Sequence, residues 1–166
     1  MPDSSSVDLL LLRHGIAELR VNGLDHPDRG LTDRGRLRTR AVVRQLRRLG
    51  FAADELVTSP YRRALETAEE AVQAGLSPSL QITEALAPGG DPWLVLRGLK
   101  GSCLLVGHEP DLGDLASALI GARTGRVRLR KAGFCHLRWC ADLKDPRGMA
   151  DLQALLRPRL LFPRSV

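Results

Sequence analysis

Val7-Asp8-Leu9-Leu10-Leu11-Leu12, running into Arg13-His14-Gly15, is the stretch that decides the fold. An almost unbroken apolar run of this length, closed by two basic residues and a glycine, reads as a central strand buried on both faces. A second run of the same kind, Cys103-Leu104-Leu105-Val106, ends at Gly107. The polar stretch after the first run, from Arg13 to Gly30, holds Gly15, Gly23, Pro27 and Gly30 and reads as loop.

The segments between and after these runs alternate. Thr32-Asp33 predicts a helix start, with Val42, Leu46 and Leu49 on one face until Gly50 stops it. Its other faces carry Arg34, Arg36, Arg38, Arg40, Arg44, Arg47 and Arg48. Glu55–Thr58 reads as a short strand. Ser59-Pro60 reads as an N-cap with proline in the first helical position, opening a helix to Ala74 and Gly75. Leu80–Thr83 is a strand candidate, Asp91-Pro92 opens a short helix to Leu99, and Asp111–Ile120 is helical up to Gly121. Strands are expected at Val127–Leu129, Gly133–Trp139 and Ala150–Leu156, before a proline- and arginine-bearing tail from Arg157. This order predicts an α/β fold: a single-domain, three-layer sandwich over residues 1–166, with a mostly parallel central sheet and helices on both faces.

Composition agrees. The chain has 166 residues, enough for one domain with a sizeable core. With 43% hydrophobic residues and a net charge of +6, it is not a disordered chain. No apolar run approaches the roughly 20 residues of a membrane span. Asp3 and Asp8 flank a serine run where a signal peptide would carry basic and then apolar residues, and the odd cysteine count without C-x-x-C points to a reducing cytoplasm. The three cysteines, Cys103, Cys135 and Cys140, form no C-x-x-C, and neither a disulfide framework nor a zinc knuckle is indicated.

In open α/β sheets, ligands bind beyond the carboxyl ends of the strands. Here those ends carry Arg13-His14-Gly15, then Ser59-Pro60 followed by Arg62 and Arg63, then Gly107-His108-Glu109-Pro110. Their convergence would make a cationic pocket with a nitrogen nucleophile. Arginine offers planar, forked donors to phosphoryl oxygens, and helix N-termini favour an anion. A neutral imidazole can attack phosphorus and hold the group covalently. Positioning and charge stabilisation do most of the remaining work in phosphoryl transfer.

Leu12-Arg13-His14-Gly15 resembles the RHG signature of the histidine phosphatase (phosphoglycerate-mutase-like) superfamily. Ser59-Pro60-Tyr61-Arg62-Arg63-Ala64-Leu65-Glu66-Thr67 is similar to its S-x-x-x-R-A-x-x-T pattern, and Gly107-His108 to its late G-H. Asp28–Gly35, with Arg29 and Leu31-Thr32, and Leu86–Pro92 resemble segments of the short SixA-type phosphohistidine phosphatases. The resemblance implies that His14 is the nucleophile and that Arg13 and Arg63 clamp the phosphoryl oxygens. It implies that His108 donates to the same oxygens. Arg29 would be an additional phosphate contact, and Ser59 and Arg62 further substrate-binding positions, with Arg62 the lesser member of its arginine pair. No metal and no organic cofactor are implied.

One departure from the superfamily bears on the substrate. Ester-cleaving members place an acid in a segment resembling L-x-E, whereas Leu86-Ala87-Pro88 puts proline there. An alkoxide leaving group benefits strongly from a general acid. The imidazole of a phosphohistidine leaves more readily and can be protonated on its other nitrogen. The expected substrate is therefore a phosphohistidine on a protein, a phosphotransfer domain or carrier, with phosphate as product. The alternative is a small-molecule phosphate-ester phosphatase of the same superfamily, with Glu84, Asp91, Glu18 or Glu109 supplying the acid. The short stretch from Thr67 to Cys103 predicts a pocket without a cap insertion.

Other residues read as structural. His26 lies in a polar loop and His136 in a late strand. Cys103 reads as core, Cys135 and Cys140 as strand residues, and Trp93 and Trp139 as packing residues. The four histidines lack metal-ligand spacing. The arginines of the Thr32–Leu49 helix read as a solvated face. The second basic run, Arg123, Arg126, Arg128, Arg130 and Lys131, has no assigned role. Without a recognition motif or interleaved aromatics, nucleic acid is not the expected partner. No membrane association is expected.

Overall fold

The computed structural model describes residues 6–162; Asp3, most of the serine run and the end of the C-terminal tail lie outside them. The elements are β1 (Ser6–Arg13), α1 (Asp33–Arg48), β2 (Glu55–Thr58), α2 (Arg62–Gln73), β3 (Gln81–Ile82), α3 (Trp93–Leu96), β4 (Gly101–Gly107), α4 (Asp111–Leu119), β5 (Phe134–Cys140), β6 (Asp151–Leu156) and α5 (Pro158–Leu161). A 3-10 turn, Glu84–Leu86, lies between β3 and α3. The six strands form one sheet in the order β3-β2-β4-β1-β5-β6. β2 pairs parallel with β3 and β4, and β4 parallel with β1, whereas β5 runs antiparallel to both β1 and β6.

β1 is central because its side chains have an apolar partner on either face. Leu9 and Leu11 pack against α3 and α4, through Leu96, Leu112, Leu115 and Leu119. Leu10 and Leu12 pack against α1, α2 and α5, through Val42, Leu46, Ala64, Ala68 and Leu161. Burying one such leucine contributes about 1.5–3 kcal/mol. Four in succession make the end of β1 one of the best-fixed points of the chain, and His14 follows directly. No helix among the described residues is long and apolar enough to cross a membrane.

Several boundaries differ from the sequence expectation. Ser59 does not cap α2. The helix begins at Arg62 after an uncapped Tyr61, and Ser59 Oγ accepts from Tyr61 N–H and meets His108 instead. Val127–Leu129 is not a strand. Its inward residues Val127 and Leu129 are buried as alternation predicts, but their N–H groups bond to Ser117 Oγ and Glu109 Oε1 rather than to a neighbouring strand. Leu80–Thr83 shrinks to the two-residue β3, and the Asp91–Leu99 helix to α3. Leu49 is exposed, and Val43 is buried beside Val42 and Leu46 in its place. The start of α1 is as read: Thr32 Oγ1 accepts from Gly35 N–H at 2.9 Å, and Asp33 faces the positive end of the helix dipole.

The basic face of α1 is only partly solvated. Arg40 makes a two-pronged contact with Glu70 of α2, both N···O distances being 2.9 Å. Arg36 reaches Glu66 at 3.0 Å. Hydrogen bonding from Arg40 outweighs burial and holds the Glu70 carboxyl below the usual carboxylate range. These ties fix α2, the helix that carries Arg63.

α1 is also pressed against the loop that follows His14. A Cβ on Gly35 would lie 1.9 Å from the Ile16 carbonyl oxygen, so only glycine allows this approach. Gly35→Ala is expected to destabilise the protein by about 1–3 kcal/mol, the usual cost of overpacking. A lowered urea midpoint checks this, and an unchanged midpoint would contradict the close packing.

Candidate active site

Three neighbouring strand ends build the site. The parallel ladder continues one residue past each strand: His14 N–H donates to Gly107 O at 3.0 Å, and Ser59 N–H to Val106 O at 3.0 Å. These bonds set His14 and His108 side by side, with ring centroids 5.1 Å apart. Arg63 enters from the first turn of α2. A cavity of about 350 Å³ opens over the group, with Arg13, His14, Arg29, Arg63, Pro88 and His108 in its wall.

His14 is buried and held in one tautomer. Its Nδ1 lies 2.8 Å from Gly15 O, a group that can only accept, so the proton sits on Nδ1. The Nε2 lone pair then faces Arg63 Nε–H at 3.3 Å. Gly15 is fixed in turn: its N–H donates to Thr67 Oγ1, and Thr67 Oγ1 donates to Arg63 O. A Cβ on Gly15 would meet Thr39 Oγ1 at 2.2 Å, so this position too admits only glycine. Thr67 closes the motif read from sequence, and its role here is to bind the His14 loop to the Arg63 helix.

His108 Nε2 lies 2.8 Å from Ser59 Oγ, which also accepts from Tyr61 N–H. Where the Ser59 hydroxyl donates to Nε2, the His108 proton lies on Nδ1, a buried atom without a partner in the protein. The Tyr61 ring stands edge-on to His108 and under the Arg63 guanidinium. Burial, then the charge of the neighbouring ring, pushes the His14 pKa down to about 3. Burial, then the Arg63 charge, pushes His108 down to about 3. Both rings are therefore neutral at ordinary pH.

The arginines fall into distinct positions. Arg63 is buried; its Nη2 meets Asp25 Oδ2 at 2.8 Å and its Nη1 meets His26 O. Arg29 holds the same Asp25 through Nε and Nη2 and donates to Glu18 O. Burial works against the Asp25 charge, but the hydrogen bond from Arg29 and the Arg63 charge keep its carboxyl below the usual range. Asp25 was not legible in the sequence, because a single carboxylate in a polar loop has no periodic or motif signal. Arg13 donates from Nη1 to Leu129 O at 2.9 Å, while its buried Nε has no partner. Glu109 Oε1 accepts from Leu129 N–H, so Glu109 positions the carbonyl that holds Arg13.

Arg62 stands apart. Its side chain is well exposed and pairs with Glu66, outside the cavity that holds His14. Of the four acids considered from sequence, Glu84 and Asp91 do not line the cavity, whereas Glu18 and Glu109 do. Burial raises the Glu109 pKa. Pro88 occupies the wall at the position read as lacking an acid. His136 bonds to Asp8 on the neighbouring strand, and Cys103 and Cys135 are core residues.

The two depressed histidines make a pH prediction. Unfolded imidazole takes up a proton near 6.5, well before these folded rings do. The stability they contribute is complete above pH 6.5 and is lost progressively as pH falls toward about 3. In ring-nitrogen NMR of the unliganded protein, both histidines are expected to remain neutral at about pH 5. A titration midpoint near the ordinary histidine value would sink this electrostatic account.

Known proteins resemble this chain in sequence and in fold. A model of the histidine phosphatase superfamily (branch 1) matches residues 9–87. An uncharacterized protein of Picosynechococcus sp. is 36% identical over 165 residues, spanning 95% of this chain and 100% of that protein. The structure of the protein histidine phosphatase SixA complexed with tungstate aligns with a TM-score of 0.78 at 24% identity, over 93% of this chain and 99% of that one. A phosphoserine phosphatase mutant from Entamoeba histolytica, in complex with phosphoserine, aligns at 0.67 with 16% identity, over 94% of this chain and 100% of that one. The two solved structures share the fold. With residues 9–87, which carry the first two of the three motifs, matched by the family model and a relative 36% identical along its whole length, this protein belongs to the histidine phosphatase superfamily.

Proposed function

We propose that this protein removes the phosphoryl group from a phosphohistidine on another protein, through a covalent intermediate on His14. In the first step the His14 Nε2 lone pair forms the new N–P bond. The substrate N–P bond breaks, its electron pair goes to the departing imidazole, and that ring is protonated on its other nitrogen. In the second step water adds to phosphorus, the His14 N–P bond breaks, and inorganic phosphate leaves. Arg13 and Arg63 hold the equatorial oxygens, and His108 donates from the Nδ1 proton that has no partner in the protein. Arg29 contributes from the rim.

The observation that carries the substrate class is Pro88 in the cavity wall, where ester-cleaving relatives carry an acid. Of the cavity carboxylates, Asp25 is held by two arginines, and Glu18 and Glu109 each accept from a backbone N–H. A phosphohistidine needs such an acid less than an ester does. The connection from α2 to β4 carries only β3, the 3-10 turn and α3, and we read it as leaving the pocket uncapped, as a side chain presented on a protein requires. The likeness to SixA supports the same reading. A second reading, a small-molecule phosphate-ester phosphatase, draws on Glu109, which lines the cavity with a raised pKa and can supply a proton to an alkoxide.

Steady-state kinetics on a phosphohistidine protein beside a panel of phosphate esters separates the two. The expected result is higher kcat/KM on the phosphohistidine protein, and a Glu109→Gln variant that keeps its kcat on that substrate. Higher efficiency on an ester, lost in Glu109→Gln, establishes the second reading instead. His14→Ala is expected to abolish turnover, by a factor on the order of 10³ or more, and to eliminate any phosphoryl-enzyme trapped by acid quench. Near-wild-type activity in His14→Ala would falsify the covalent mechanism.

A further inference from the structure

The positive charge of the chain is unevenly neutralised. Arg36 and Arg40 are met by Glu66 and Glu70, and Arg29 and Arg63 by Asp25. The basic run after α4 has no such partners. A groove of about 810 Å³ beside the catalytic cavity carries Arg126, Arg128, Arg130 and Arg157 in its wall. An adjoining recess repeats Arg130 and Arg157 and adds Arg38, Lys131 and Arg159. Both share Arg13 with the catalytic cavity.

Among the described residues, none of Arg126, Arg128, Arg130, Lys131, Arg157 and Arg159 is in an ion pair. The two acids of the groove are already engaged. Glu109 accepts from Leu129 N–H, and Asp114 from Gly125 N–H at 3.0 Å. Neither carboxylate pairs with these arginines, and five arginines against two carboxylates leave an excess of positive charge whose self-repulsion an acidic partner relieves. Leu155, exposed on β6, and Leu156 add apolar surface to the same wall, as a protein contact would use. No aromatic side chain lines either recess, so nucleic-acid bases find no stacking platform. The groove is more than twice the size of the catalytic cavity, which is ample for a surface rather than a single group.

We propose that this basic groove, joined to the catalytic cavity at Arg13, docks an acidic face of the protein that carries the phosphorylated histidine. The inference rests on the phosphohistidine reading of the site and adds how the substrate is chosen. Chemistry at His14 sees only the phosphoryl group, whereas the groove reads its surroundings.

The test uses two synthetic phosphohistidine peptides, one flanked by Glu and Asp, the other by Gln and Ser, with free phosphohistidine as a third substrate. The wild type is expected to favour the acidic peptide by about tenfold in kcat/KM, through KM, with the preference shrinking as salt rises. R126Q/R157Q, at two exposed positions, is expected to raise KM for the acidic peptide about tenfold and R126E/R157E further, both leaving free phosphohistidine unchanged. Equal KM for the two peptides overturns the proposal, as does an equal loss on free phosphohistidine. Fluorescence anisotropy with the unphosphorylated acidic peptide needs no turnover and separates the two readings. Binding that is lost in R126Q/R157Q supports the groove even where esters prove the better substrates, and absent binding overturns it. Tighter binding of a single-stranded oligonucleotide of equal charge overturns the assignment to a protein face.

Discussion

The site depends on one backbone hydrogen bond, from His14 N–H to the Gly107 carbonyl. It extends the β1–β4 ladder past the point where both strands stop being apolar. With its counterpart from Ser59 to Val106, it places three chain segments in register at one rim. Loop residues usually owe their positions to many weak contacts. Here two imidazoles inherit theirs from the most buried strands of the sheet, so the precision of the pocket derives from the hydrophobic core. Helix α2 brings Arg63 to the same rim and is bound to the His14 loop by Thr67 and to α1 by Glu66 and Glu70.

Placing two histidines among guanidiniums has an electrostatic result that neither residue type predicts alone. Burial is the larger force lowering both imidazole pKa values, and the guanidiniums, which remain charged, add to it. The Gly15 carbonyl opposes protonation loss at His14 only weakly, but it decides which nitrogen holds the proton. The product of these forces is a neutral ring with its lone pair directed at a cationic cluster, a suitable arrangement for attack on an anion. The guanidinium charge that adds to this suppression of protonation also favours an anion at the pocket.

Much of this was legible in the sequence because it rests on local signals. Val7–Leu12 and Cys103–Val106 show an apolar run closed by glycine, and Thr32-Asp33 shows a cap and a first-turn acid. The three motifs at the strand ends led to Arg13, His14, Arg63 and His108, which line one cavity. What stayed hidden was long-range pairing. Ser59 reads as a helix cap, and sequence cannot reveal that its hydroxyl meets His108, which follows the end of β4. Val127–Leu129 alternates like a strand, yet side chains supply its hydrogen-bond partners. Arg36 and Arg40 read as solvated because their carboxylates lie on another helix. Asp25 carried no signal until the fold brought it to two arginines.

That carboxylate alters what it means for an anion to bind. Arg63 and Arg29 do not wait in the unliganded pocket as open donors, since Asp25 already spans them. A phosphoryl group bound as proposed would take Arg63 Nη2 by exchanging places with an internal anion, so its affinity would reflect the difference between two pairings rather than the whole of one. The exchange runs in both directions. When phosphate departs, the guanidiniums return to a resident partner instead of facing the pocket uncompensated. In the proposed reaction, a site with so much positive charge would otherwise retain its own product, and Asp25 would give it a means of letting go.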